Sequence, residues 1–266
     1  MKSTVVLLLC ANVAIGAPFT ELRRERAAAR AAARNSGSQP MILASGDRIA
    51  ESGNNTNAQY SSNWAGAVLI GNGYTSVTGT IVVPTPKAGT GANGRSSSAS
   101  AWVGIDGDTC SSSILQTGVD FTYQNGQVSF DAWYEWFPDY AYNFDAISIQ
   151  AGDTVTMTVT ASSKTGGTAV IHNQSTGQTV THSFSAQSAA LCETNAEWIV
   201  EDFESNGALV PFANFGTVTF TGASATTNSG KVGVSGATII DIQQNSKVYT
   251  DCGTSGSSSV YCRYTG

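Results

Sequence analysis

The sequence predicts an all-β domain, an antiparallel β-sandwich of the jelly-roll or concanavalin-like kind, carrying two disulfides. Three observations predict it. Nearly every segment from Trp64 onward alternates with a period of two and is rich in Thr and Val. Gly, Asn and Ser separate these runs at short intervals. No amphipathic helix of ordinary length follows residue 58, so short strands must bury one another's faces.

At the start of the chain, Lys2, the mostly apolar run Val5 to Val13 and the small residues Ala14-Ile15-Gly16-Ala17 read as an export signal over 1–17. The apolar run is too short to span a membrane. The product is expected to be secreted and extracellular, with no membrane partner.

Residues 18–58 differ in composition and read as a basic propeptide and linker. Thr20 to Arg34 is rich in the helix formers Ala and Arg, with Thr20 placed to cap it and Asn35-Ser36-Gly37 to end it. Five arginines against Glu21 and Glu25 give this helix a charge of +3. Small polar residues after it suggest a linker.

The segment 59–266 reads as one domain, since about 200 residues suffice for a single sandwich. Six Lys and Arg stand against fifteen Asp and Glu, a formal charge of −9. A removable basic segment ahead of an acidic domain implies an intramolecular inhibitor. Charged residues are 12% of the chain, where about a quarter is usual. With so few bases, protonating every carboxylate leaves little positive self-repulsion, which suits an acidic medium. The acidic balance argues against nucleic acid as a partner.

Strands are clearest at Val77–Val83, Thr154–Thr160 and Gly216–Phe220. Cys10 leaves with the signal, so Cys110, Cys192, Cys252 and Cys262 remain, and four cysteines allow three pairings. Cys252 and Cys262 bracket a turn-forming Gly/Ser stretch and are expected to pair across a hairpin; Cys110 with Cys192 follows by elimination. Asn54-Asn55-Thr56 and Asn173-Gln174-Ser175 are glycosylation acceptors in an exported chain.

Several catalysts are excluded. The chain has no Asp-Thr-Gly or Asp-Ser-Gly, no His-Glu-x-x-His and no Gly-x-Ser-x-Gly. Two histidines are too few for a common zinc site, and no metal or other cofactor is expected. Carboxylates and amides remain. Strand alternation places Ile114, Gln116, Gly118 and Asp120 on one face, and Glu197, Ile199, Glu201 and Phe203 on one face of a second strand. Trp133, Glu135 and Phe137 share a face of the strand between. Such faces would make an aromatic cleft able to grip an extended peptide, with Pro138–Asn143 as a candidate flap.

Four motifs, in order Trp102-Val103-Gly104-Ile105-Asp106-Gly107, Ile114-Leu115-Gln116-Thr117-Gly118, Asp131-Ala132-Trp133-Tyr134-Glu135-Trp136 and Glu197-Trp198-Ile199-Val200-Glu201-Asp202-Phe203-Glu204, resemble those of the glutamic peptidases, or eqolisins. The resemblance runs from about Ser62 to the C-terminus. It implies a pepstatin-insensitive acid endopeptidase with Gln116 and Glu201 as the catalytic dyad and no covalent intermediate. Asp106, Asp120, Glu135, Trp64, Trp102 and Trp133 are the expected supporting or substrate-binding residues, and polypeptides the expected partners. A monomer and a single chain are expected, since the mature part holds no basic insertion. Where some relatives carry an extra cysteine pair, this chain has Ser205–Val210, which bears on the loop and its subsites. The competing readings on the same fold are a glycoside hydrolase using Glu135 and Glu201 and a lectin-like module without turnover.

Overall fold

A computed structural model of the chain describes residues 36–44, 58–94 and 96–266. The expected signal, the basic helix and the first glycosylation triplet lie outside them. Among the described residues every helix or strand element is a strand.

Two large sheets face each other. One has the order Gln178–Phe184, Gly166–Asn173, Thr154–Ser163, Tyr74–Val82, Thr217–Thr227, Ser259–Tyr264, Thr250–Ser255. The other runs Lys247–Val248, Thr238–Gln244, Trp64–Ile70, Asn195–Glu201, Ser97–Ile105, Ile114–Gln124, Gln127–Phe137, Tyr142–Asn143. Apart from the parallel pairing of Gln59–Ser61 with Thr238–Gln244, the pairs are antiparallel.

The Thr/Val alternation has a direct structural meaning. Val77, Val155, Met157 and Val159 point into the space between the sheets. Their threonine neighbours face outward and bond across strands, Thr78 to Thr158 at 2.7 Å and Thr80 to Thr156 at 2.8 Å. The second sheet supplies Ala65, Ala101, Val103, Val119, Trp136 and Trp198 to the same core. Trp198 is fully buried and donates Nε1–H to the Thr78 carbonyl at 2.8 Å. With its inner face so occupied, this sheet turns its other face to a separate cluster of Trp64, Trp102, Trp133, Ile114, Ile199 and Ile240. The candidate chemistry sits on that second face.

Both disulfides form as expected, Cys252–Cys262 across a hairpin and Cys110–Cys192 with Cα atoms 6.2 Å apart. The latter ties the loop before the glutamine strand to the loop before the glutamate strand. The run Glu197–Glu204 is not one strand: pairing stops at Glu201, where Asp202 N–H turns to the Asn63 carbonyl at 2.9 Å. Asn173 is buried, with Nδ2 donating to Ser148 O and Asp153 Oδ2, so the folded chain does not present it for glycosylation.

Gly118 lets two tryptophans meet. A Cβ there would lie 2.5 Å from Trp102 Cβ and 2.8 Å from the Trp133 ring, with the Ala101 carbonyl at 2.7 Å. Gly118→Ala should therefore lower stability by about 1–3 kcal/mol, the range for overpacking. Urea unfolding followed by tryptophan fluorescence checks this, and an unchanged midpoint would show that the tryptophans can part.

Candidate active site

Glu201 is the last residue of its strand, and its register partners are Trp64 on one side and Ser100 on the other. Gln116 lies opposite Gly104 and Glu135. Both side chains are fully buried, on the face carrying the tryptophan cluster. Strand alternation thus does place them on one surface. Its floor is aromatic: Trp64 and Trp102 meet edge to face with centroids 4.9 Å apart.

Trp102 Nε1–H donates to Glu201 Oε2 at 2.8 Å. Gln116 Nε2 donates to Glu135 Oε2 at 3.0 Å, while Gln116 Oε1 is buried with no partner among the described residues. The amide therefore bonds to Glu135 rather than to Glu201. What joins the two carboxyls is Ser38. Its N–H donates to Glu135 Oε2 at 3.2 Å, and its hydroxyl contacts Glu201 Oε2 at 2.5 Å.

Ser38 belongs to the stretch expected as a linker, and the structure instead shows residues 37–44 bound in the cleft. Ser36–Gly37 pairs antiparallel with Glu204–Ser205. Gln39 N–H donates to Glu201 Oε1 at 3.1 Å. The Gln39 carbonyl accepts from Trp64 Nε1 at 2.9 Å and from Asn63 Nδ2 at 3.3 Å. Asn63 also donates to the Pro40 carbonyl at 3.2 Å and accepts Ile42 N–H at 2.9 Å. Met41 N–H reaches the Gly107 carbonyl at 3.0 Å, and its side chain packs on the tryptophan cluster. The loop Pro138–Tyr140, with Phe137, faces Asn206–Gly207 across an open cavity of about 480 Å³ that also reaches Glu135 and Gln39.

Burial is the main electrostatic fact. It pushes Glu201 up to about 8, against the hydrogen bonds of Ser38, Gln39 and Trp102, which pull it down. Glu135 stands well above the usual carboxylate range, through burial first and the neighbouring Glu201 second. Asp120 is part-exposed at the cleft wall and is raised to about 7 by burial and Asp131, while Ser100 and Trp133 oppose the shift. Asp202 and Asp241 are raised to about 7, again chiefly by burial.

The other predicted residues divide. Trp133 donates to Ser100 Oγ at 3.1 Å, so all three predicted tryptophans are both core and site wall. Asp106 is held elsewhere. Its carboxylate accepts the backbone N–H groups of Cys192, Glu193, Thr194 and Asn195 at 2.7 to 3.3 Å, fastening the loop that enters the glutamate strand. Asp106, Cys110 and Cys192 converge, but the sulfurs are bonded to each other and Asp106 serves that loop, so they are no metal set.

Three participants escaped the sequence reading. Ser38 and Gln39 carried no signal in a polar stretch. Asn63 precedes Trp64 in a turn, and only the folded chain reveals its fourfold bonding. Glu197 was readable, because it shares the Glu201 face. It is fully buried, both its oxygens lack partners among the described residues, and burial with Asp106 and Asp108 raises it well above the usual range.

Comparison with known proteins agrees along most of the chain. The Peptidase A4 family profile matches residues 62–264. Aspergillopepsin-2 of Aspergillus niger is 52% identical over a 276-residue alignment, covering 97% of this chain and 98% of that protein. Scytalidopepsin B of Scytalidium lignicola is 46% identical over 215 residues, 78% of this chain and 79% of that protein. A crystal structure of scytalido-glutamic peptidase with a transition state analog inhibitor superposes with a TM-score of 0.70 at 45% identity, covering 77% of this chain and 98% of its own. Aspergilloglutamic peptidase from Aspergillus niger gives 0.62 at 58% identity, covering 64% and 99%.

The raised carboxyls set how stability depends on pH. A carboxyl whose folded pKa exceeds its unfolded value, about 4, binds more protons when folded. Its contribution is complete below about 4 and is lost as pH rises through the folded value, here about 7 for Asp120, Asp202 and Asp241 and about 8 for Glu201. The urea midpoint should therefore rise as pH falls from about 8 to about 4, and Asp202→Asn should flatten that slope. A midpoint that falls over this range would refute the assignment.

Proposed function

Because the chain belongs to the Peptidase A4 family of glutamic peptidases, we propose that it is a secreted acid endopeptidase working through a Gln116/Glu201 dyad, without a covalent intermediate. It is a peptide hydrolase, as its relatives are. The observation that carries the reading is that a peptide bond already lies at the carboxylate: the Gln39 N–H rests on Glu201 Oε1 at 3.1 Å. In that contact the N–H donates to Oε1, which sets the Ser38–Gln39 peptide bond beside the proposed base.

In the proposed reaction, Glu201 takes a proton from a water whose oxygen attacks the scissile carbonyl carbon. The Gln116 amide turns from Glu135 toward the oxyanion and donates to it. The C–N bond then breaks, Glu201 passes its proton to the nitrogen, and a new carboxyl and a new amine leave. An amide retains its donor at any pH, which a second carboxyl does not. The value of about 8 belongs to the closed cleft, where burial is the first cause; a cleft admitting water rehydrates the carboxylate and draws it back toward the ordinary range. Asp120 and Glu135 support the pair by holding protons that spare it like-charge neighbours in acid.

The reading includes a zymogen. Residues 18–58 form the inhibitor, with 37–44 covering the dyad and the arginines of Thr20–Arg34 adding attraction to the acidic domain near neutral pH. Reversing those arginines to glutamate should weaken inhibition of the matured enzyme near neutral pH; undiminished inhibition would remove the electrostatic part.

The decisive assay is digestion of denatured protein at about pH 4, within the ordinary carboxylate range where Glu201 of an opened cleft is part ionised, with pepstatin present. Matured wild type should cut and a folded Glu201→Gln variant should not, while Gln116→Ala should lose about 10²–10³-fold in kcat, as for loss of an oxyanion donor. If Glu201→Gln digests as fast as wild type, Glu201 is not the catalyst.

A further inference from the structure

We propose that the Ser38 hydroxyl occupies the place of the attacking water, so that residues 37–41 lie in the cleft as a peptide substrate that cannot be hydrolysed. This deepens the reading of Glu201 as the base and rests on it. The two oxygens of one carboxyl hold the two groups that flank the Ser38 carbonyl, the Ser38 hydroxyl and the Gln39 N–H. Oε1 accepts the Gln39 N–H at 3.1 Å, which sets the nitrogen of the Ser38–Gln39 bond against the carboxyl. Oε2 holds the Ser38 hydroxyl at 2.5 Å, where the base must hold its water. The hydroxyl and the scissile carbonyl belong to the same residue, so the bond set at the dyad is Ser38–Gln39.

Both sides of that bond are clamped as a ligand would be. Before it, Gly37 pairs with Glu204 in antiparallel register, and a Cβ on Gly37 would stand 3.2 Å from Glu135 Oε1, so glycine gives the closest fit. After it, Trp64 and Asn63 hold the Gln39 carbonyl, and Gly107 takes Met41 N–H. The segment is seated by its backbone on both sides of the Ser38–Gln39 bond, and the Ser38 hydroxyl takes the room that a nucleophilic water needs.

Removing the hydroxyl should restore that room. Water would then attack the carbonyl carbon of residue 38 and give its proton to Glu201. The bond to Gln39 would break, the proton would pass to the Gln39 nitrogen, and the products would be a carboxyl at residue 38 and a free amine at Gln39. Full-length wild type, Ser38→Ala and Ser38→Thr, each also with Glu201→Gln, are incubated in acid at several concentrations and read by mass spectrometry. Ser38→Ala should release a chain beginning at Gln39 at least about tenfold faster than wild type, at a concentration-independent rate, and not when Glu201→Gln is also present. Ser38→Thr keeps a hydroxyl and should behave as wild type.

A second measurement does not depend on how the variants fold. A peptide of residues 36–44 should inhibit matured wild type uncut, and its Ser38→Ala form should be cut before Gln39. The proposal is overturned if the wild-type bond is cut as fast as in Ser38→Ala. It is also overturned if neither Ser38→Ala chain nor peptide is cut there by an enzyme that digests denatured protein. Failure of matured wild type to digest protein at all would instead sink the peptidase dyad, and this inference with it.

Discussion

Carboxyls buried under neutral hydrogen-bond donors, rather than beside cations, are the constraint on which the rest of this structure depends. Glu201 is held by an indole, a hydroxyl and a backbone amide. Asp106 is held by loop amides, Asp202 by the Gln244 amide, and Asp241 by the Thr250 hydroxyl and Cys252 N–H. Donors of this kind satisfy lone pairs without repaying the full cost of removing a charge from water. Glu201, Asp202 and Asp241 meet that cost by holding protons to higher pH, which links scarce bases and upward-shifted carboxyls in one physical account.

The fold was legible because its signals are local and repeated. Alternation of Thr with Val or Met in Thr154–Ser163 reports a strand with one face in the core and one in solvent, and the cross-strand threonine bonds confirm which face is which. The cysteine pairing was legible because the 252–262 hairpin leaves one solution for the other two. The common face of Gln116, Asp120, Trp133, Glu135 and Glu201 was legible for the same reason, since a strand's period is fixed at two.

What sequence could not supply was the partner of each polar group. Asp106 lies in a motif beside the dyad strands, yet a backbone turned to φ 71° aims it at residues more than 80 positions ahead. Asn173 has the triplet of a glycan acceptor, and tertiary contacts bury its amide. Ser38-Gln39-Pro40 is polar, small and without period, so local reading gives a linker. Its binding is written in Asn63, Trp64 and Glu201, and no pattern within residues 36–44 encodes those contacts.

The donors on Glu201 fall into two kinds, one from the sheet and the other from the segment that lies over it. Trp102 Nε1–H comes from the sheet floor, where its ring packs edge to face on Trp64. The Ser38 and Gln39 donors come from the segment that covers the cleft, and they leave with it. Departure removes two bonds that favour the ionised form but readmits the water that burial had excluded, which favours it too. The carboxylate would thus keep one fixed donor, the indole, and exchange the other two for water. An indole beneath and replaceable partners above let the carboxyl stay hydrogen-bonded whether or not residues 37–41 cover it.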